Sequence, residues 1–281
     1  MPTVPHPTKR AVVLASGGLD STVVAALARR DGYELFLLTV AYGQRHVMEI
    51  QRARQVAKAL HAANHLVLEL DLRAIGGSAL TTGDEVPKDR AISDRKRGIP
   101  VTYVPGRNLI FLSLAAAHAE VVGASIIYFG ANILDYSGYP DCRPGFIGAF
   151  EAAVKEGTKA GTEGRILQVR APLLMCTKTE IIRQGIELGV PFELTHSCYD
   201  PVGALACGRC DSCLIRREGF VKAGVADPIA YAVPYRRLKT IVDFVFVSLR
   251  GSTYQKKYAS PLRALRPCRT TVLNRRPEIR W

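Results

Sequence analysis

Two kinds of apolar pattern alternate along this 281-residue chain. Short runs in which every residue is apolar, such as Ala11-Val12-Val13-Leu14-Ala15, read as strands buried on both faces. Between them lie longer stretches whose apolar positions return every three or four residues, the period of one helix face. The pattern predicts strands over 11–15, 34–40, 65–70, 125–130 and 167–170. It predicts helices over 21–30, 47–60, 109–122, 145–155 and 178–188, with Gly189 stopping the last. Strand then helix, repeated, is the order of an α/β, Rossmann-like, doubly wound parallel sheet with helices on both faces. Ligands in such sheets bind beyond the carboxyl ends of the strands, where Ser16, Tyr42 and Asn132 fall. Residues 73–104, punctuated by Gly76, Gly77, Gly83, Pro87, Gly98 and Pro100, interrupt the alternation and read as a loop over the sheet's edge.

The length suits one large domain with a small appendage, and 48% hydrophobic with 22% charged residues is a soluble globular composition. No apolar run approaches the ~20 residues of a membrane span. The run after Lys9 and Arg10 is interrupted by Gly17, Gly18 and Asp20 before it could act as a secretory signal, so the chain reads as cytoplasmic. A formal net charge of +13 would suggest nucleic acid, but its distribution argues otherwise. Residues 232–281 hold twelve Lys and Arg against Asp243 and Glu278, while residues 1–231 hold 26 basic and 23 acidic side chains. The basicity belongs to a tail of unassigned role, in which 240–249 is apolar and β-prone and an arginine-rich, proline-broken segment follows.

Ser16-Gly17-Gly18-Leu19-Asp20-Ser21 sits where the first strand turns into the first helix. A glycine turn opening a helix points unpaired backbone N–H groups, and the positive end of the helix dipole, at one place. Glycines allow close backbone approach to an anion and the serines add donors, so the segment reads as a phosphate site rather than an ordinary turn. It lacks the Gly-Lys-Ser/Thr of a Walker loop. It resembles instead the PP-loop of the adenine-nucleotide α-hydrolase-like enzymes, which implies ATP cleavage at the α-phosphorus with release of pyrophosphate.

Four of seven cysteines crowd into sixteen residues as Cys198-x8-Cys207-x2-Cys210-x2-Cys213. Thiolates two residues apart on a tight turn can face one ion, and Gly208 loosens that turn. Structural zinc is the expected occupant, with an iron–sulfur cluster as the rival. Asp135-Tyr136-Ser137-Gly138-Tyr139-Pro140-Asp141-Cys142-Arg143 follows the fourth strand and is dense in groups that recognise a flat polar heterocycle. Asp141 would accept from an amidine edge and Arg143 would pair with a carboxylate, a satisfied turn being the alternative. Arg107, in Val104-Pro105-Gly106-Arg107-Asn108, opposes the dipole of the helix it opens and hints at an anion. Tyr42-Gly43-Gln44-Arg45-His46 lies where adenine or ribose would sit, and Lys178 could neutralise phosphate charge.

In this order, SGGLDS, YGQRH, VPGRN, DYSGYPDCR, APLL…KTEII and the cysteine group resemble the 7-cyano-7-deazaguanine synthases of queuosine biosynthesis over residues 10–231. The resemblance implies ATP-dependent conversion of 7-carboxy-7-deazaguanine and ammonia to the nitrile, without nucleic acid or membrane. It implies one structural Zn²⁺ per subunit on Cys198, Cys207, Cys210 and Cys213, Mg²⁺ with ATP, and a homodimer. It implies an ATP site at Leu14, Ala15, Ser16, Gly17, Gly18, Leu19, Asp20, Ser21, Thr22 and Tyr42, with Asp20, Ser21 and Lys178 catalytic. Substrate would meet Arg107, Asp135, Tyr139, Asp141 and Arg143. The chain then divides into an ATP-binding part, 1–190, a zinc-binding part of the same domain, 191–231, and the tail, 232–281. Two rivals stay open: a tRNA-thiolating enzyme using Cys142 or Cys176, and a non-enzymatic zinc module binding nucleic acid through the tail.

Overall fold

Five parallel strands form one sheet in the order β3-β2-β1-β4-β5. They are β1 (Arg10–Leu14), β2 (Glu34–Ala41), β3 (Asn64–Glu69), β4 (Ile126–Tyr128) and β5 (Gln168–Arg170). The structure, a computed structural model, describes residues 9–44, 48–91, 94, 98–134 and 139–234. The apolar 240–249 segment and nearly all of the basic tail lie outside those residues.

The helices are α1 (Leu19–Arg30), α2 (Met48–Ala59), α3 (Arg107–Val122), α4 (Pro144–Gly157), α5 (Lys159–Thr162), α6 (Lys178–Glu187) and α7 (Asp211–Ala223). Central β1 explains the double winding. Alternate side chains of a strand face opposite sides, and Ala11, Val12 and Val13 are all inaccessible to solvent. Val12 and Leu14 pack in one cluster with Leu112 and Ala115 of α3 and Ile147 and Phe150 of α4. The other face of β1 is covered by α1, whose residues from Ser21 to Ala28 are all buried. Strands β1, β2 and β3 step one way across the sheet and β4 and β5 the other. The direction reverses between β1 and β4, so the loops leaving their carboxyl ends diverge and leave a crevice.

All ten elements read from the pattern are present, with ends shifted by a residue or two. Among the helices described above, two were not expected. Short α5 follows α4 directly, and α7 carries Arg216 and Arg217 among its buried residues, so it shows no apolar stripe. The 73–104 loop also differs from expectation. Its Leu80, Val86 and Val104 join a core cluster with the four cysteines. Lys88 bridges to Cys210, and Lys88–Asp200 (2.8 Å) and Arg90–Asp211 (3.0 Å) pair across the same seam. The loop thus packs on the cysteine segment through this shared apolar cluster and the two ion pairs.

Candidate active site

The crevice at the β1–β4 reversal is a cleft of about 260 Å³. At one end the loop of Ser16, Gly17 and Gly18 feeds α1. Gly18 is the N-cap and has no side chain to cap with, so neighbours take over. Leu19 N–H donates to Ser197 Oγ (3.2 Å) and Gly18 N–H to Ser16 Oγ (3.3 Å). Ser21 Oγ accepts from Ser16 N–H (3.2 Å) and donates to Gly18 O (3.1 Å), which pins the loop against its own helix. Gly17 holds φ +77°, and a Cβ there would stand 2.5 Å from Glu49 O and 2.6 Å from Ala53 N. Glycine at 17 is therefore what lets α2 rest on the loop.

Lys178 is the first residue of α6, after a capping box between Thr177 and Glu180. A cation there opposes the helix dipole. Asp20 answers it: Lys178 Nζ lies 2.5 and 2.7 Å from the two Asp20 oxygens, and the lysine side chain is only 10% exposed. A lysine, a carboxylate and two hydroxyls thus converge at the positive end of α1.

The other end of the cleft is built around Arg107, the first residue of α3. Its guanidinium stands 5.9 Å over the Tyr42 ring. Burial works against its charge, but the phenol oxygens of Tyr42, Tyr139 and Tyr199 outweigh that and hold its pKa above the ordinary arginine value. Burial pushes the Tyr42 phenol up to about 12, so it serves as a neutral hydrogen-bonding group. Glu49, in the first turn of α2, faces the same space. Burial pushes its carboxyl up to about 7, Arg107 opposing only in part.

Of the residues singled out from the sequence, Leu14, Ala15, Ser16, Gly18, Leu19, Asp20, Ser21, Tyr42, Arg107, Tyr139 and Lys178 line this cleft. Gly17 and Thr22 stand behind the loop, Thr22 Oγ1 donating to Gly18 O (2.8 Å). Asp141 turns inward: it is 6% exposed, one oxygen accepts the Asn108 N–H (3.1 Å) and the other has no partner among the described residues. Arg143 is exposed where α4 begins. Asp135, Arg45 and His46 lie outside the described residues. Glu49, Asn108, Ser197, Tyr199 and Arg216 also line the cleft and carried no signal strong enough to single them out. In the sequence Glu49 is an ordinary acidic residue of a first helical turn, and Ser197 and Tyr199 flank Cys198, whose ligand spacing dominates that segment.

The four cysteines are buried, and their sulfurs all lie within 4.8 Å of one another. Tetrahedral ligation at ~2.3 Å places sulfurs about 3.8 Å apart, and Cys207 and Cys213 Sγ stand 3.9 Å apart. Backbone N–H groups of Asp200 and Cys207 donate to Cys198 Sγ (3.4 and 3.2 Å), and those of Arg209 and Cys210 to Cys207 Sγ (3.4 and 3.3 Å). Such donors favour thiolates over thiols. The cluster fits one closed, four-coordinate metal ion. Gly208 turns the knuckle at φ +79°, where a Cβ would meet Val233 O at 2.8 Å. Cys198 also lines the cleft, so the metal site and the loop share a wall.

A family model described as queuosine biosynthesis protein QueC matches residues 10–224. A 7-cyano-7-deazaguanine synthase of Anaeromyxobacter sp. (strain Fw109-5) is 58% identical over 227 residues, 80% of this chain and 97% of that protein. The synthase of Myxococcus xanthus is 58% identical over 79% of this chain and 97% of its own length. That of Kineococcus radiotolerans is 54% identical, again over 79% and 97%.

Proposed function

The chain belongs to the QueC family of queuosine biosynthesis, and from that premise we propose that it makes 7-cyano-7-deazaguanine from 7-carboxy-7-deazaguanine, ammonia and ATP. The observation that carries the assignment is identity of 54–58% with named synthases over almost their whole length. The cleft supplies what the reaction needs. The substrate carboxylate would dock on Arg107, among the phenols of Tyr42 and Tyr139, with its oxygen facing the nucleotide's α-phosphorus. Ser16, Gly18 and Ser21 would cradle the pyrophosphate end of ATP, and Lys178 would neutralise the charge that builds there as the bond breaks. Asp20 would hold the Mg²⁺ that accompanies ATP, whose part is to draw charge from the phosphates. Attack of the carboxylate oxygen gives an acyl adenylate, and ammonia displaces AMP to give the amide. Adenylation of the amide oxygen by a second ATP then permits loss of AMP to the nitrile. Positioning supplies much of the rate, because the oxygen becomes a good leaving group once adenylated.

The tRNA-thiolating alternative is disfavoured by its own requirement for a reactive thiol. Burial, then the neighbouring Asp141, pushes the Cys142 thiol up to about 12, and Cys176 is fully buried. Zinc is the reading for the metal, since four thiolates leave no open position for catalysis. Residues 1–190 and 191–231 are read as one domain with that metal at its carboxyl-terminal end. A cytoplasmic homodimer follows from family resemblance. The test is incubation with ATP, ammonium and the deazapurine acid, followed by mass analysis. Nitrile and AMP are expected. Absence of both, or iron in place of about one zinc per chain on metal analysis, would send the assignment back to its rivals.

A further inference from the structure

Given the ligase reading, we infer that Glu49 is the base that takes the protons nitrogen must shed as ammonium becomes first amide and then nitrile. Of the ionisable side chains lining the cleft, most are already engaged. Asp20 holds Lys178 with both oxygens. Burial keeps the Tyr42 and Tyr139 phenols and the Cys142 thiol protonated. Cys198 belongs to the metal cluster, Arg216 pairs with Asp227, and His196, only 4% exposed, and Tyr199 each hold interactions of their own. Glu49 differs. Among the described residues no ion pair or hydrogen bond engages its carboxylate, and the groups facing it are Arg107 of α3 and Tyr42 beyond β2. It therefore shares the cleft with the guanidinium that would anchor the carboxylate whose carbon reacts. A carboxyl pushed up to about 7 by burial accepts and returns protons near neutrality.

The proton balance needs such a group. Ammonium gives one proton to Glu49, and the freed lone pair forms a C–N bond to the acyl carbon. As the C–O bond to AMP breaks and AMP leaves with its electron pair, nitrogen sheds a second proton. In the second half the amide nitrogen sheds one proton as its oxygen is adenylated by ATP with loss of pyrophosphate, giving an imidate C=N–H. The oxygen then leaves as AMP with its electron pair while the last N–H proton departs and C=N becomes C≡N. Glu49 passes each proton to water through the open cleft before taking the next.

The test is Glu49→Gln in the metal-loaded full chain, read in three assays. Exchange of labelled pyrophosphate into ATP, which requires only the acid and the first adenylation, is expected within about threefold of wild type. Ammonium-dependent AMP release is expected to fall by about 10²–10⁴-fold, the usual share of a general base. Hydroxylamine, a nucleophile already neutral at pH 7, is expected to restore trapping of the adenylate as the hydroxamate, and Glu49→Asp to recover part of the ammonium reaction. The variant's melting temperature is expected to equal or exceed that of wild type at pH 8, since the amide carries no buried charge. Ammonium turnover within threefold of wild type overturns the inference, as does equal loss of exchange and turnover. Failure of wild-type protein to exchange pyrophosphate in the presence of the acid would instead overturn the ligase reading.

Discussion

Replacing Arg216 by Met tests whether the segment after α6 is held to the cleft by one buried guanidinium. Arg216 is 2% exposed, and its charge is matched by Asp227 through Nε–Oδ2 (2.8 Å) and NH2–Oδ1 (2.9 Å). It also donates to Thr195 Oγ1 (2.6 Å) and to Phe192 O (3.2 Å). Truncation strands a carboxylate whose side chain is only 9% exposed, a situation that costs about 3–5 kcal/mol. Two donors remain to Asp227, Tyr231 O–H (2.6 Å) and Ile229 N–H (3.3 Å), and Phe192 O keeps the Thr195 hydroxyl, so the low end applies. At about 3 kcal/mol and ~2–4 °C per kcal/mol for a domain of this size, the melting temperature drops by about 6–12 °C. Urea unfolding of the metal-loaded protein measures the loss directly. Adding Asp227→Asn removes the stranded charge and should recover about 2 kcal/mol, because a buried pair is worth little against neutral side chains. Thr195 precedes His196, whose N–H bonds Gly17 O (2.9 Å), and Ser197, which receives Leu19 N–H, so KM for ATP should rise as well. A single variant within 1 kcal/mol of wild type, or a double variant no better than the single, would refute the account.

Gly17→Ala should lose ATP binding and about 2 kcal/mol or more of stability, since φ +77° strains any Cβ by roughly 1–2 kcal/mol before the clash with Glu49 O and Ala53 N; wild-type melting and KM would contradict it. Ser16→Ala and Asp20→Ala should each abolish turnover in a protein with an unchanged circular dichroism spectrum, and wild-type rates would remove those residues from the phosphate site. Lys178→Met should cut kcat by about 10²–10³-fold, the usual cost of losing one preorganised charge at a leaving group; Lys178→Arg should recover part, and equal loss in both would point to packing instead. Because burial pushes the Cys142 thiol up to about 12, iodoacetamide at pH 8 should leave Cys142 unmodified in a peptide map of the folded protein, whereas rapid alkylation would reopen the thiol-chemistry reading.

What the sequence discloses about this molecule depends on whether a feature is made by one segment or by several. Strands and helices with an unbroken or 3.6-periodic apolar pattern are specified locally, and each expected one is present. Helix α7 escapes the same reading because Asp211, Arg216 and Arg217 occupy buried positions and find their partners outside the helix. The loop at 16–21 is legible for the same local reason, six contiguous residues at a strand–helix junction. Its glycines illustrate the boundary, since two identical residues have different work. Gly18 caps α1, whereas the requirement for glycine at 17 comes from the backbone of α2, some thirty residues away. The Asp141 carboxyl, which local composition suggests as a ligand contact, accepts the Asn108 N–H at the start of α3 through one oxygen, a bond that only the fold discloses. Glu49, Tyr199 and Arg107 come from three separate parts of the chain and meet only because the strand order reverses between β1 and β4. On the proposed function, nucleotide gripping would thus rest mainly on the contiguous loop, while handling of the acid and of ammonia would rest on side chains assembled by topology. Substitutions in the first group should impair both adenylation steps alike, and those in the second should separate adenylation from nitrogen transfer.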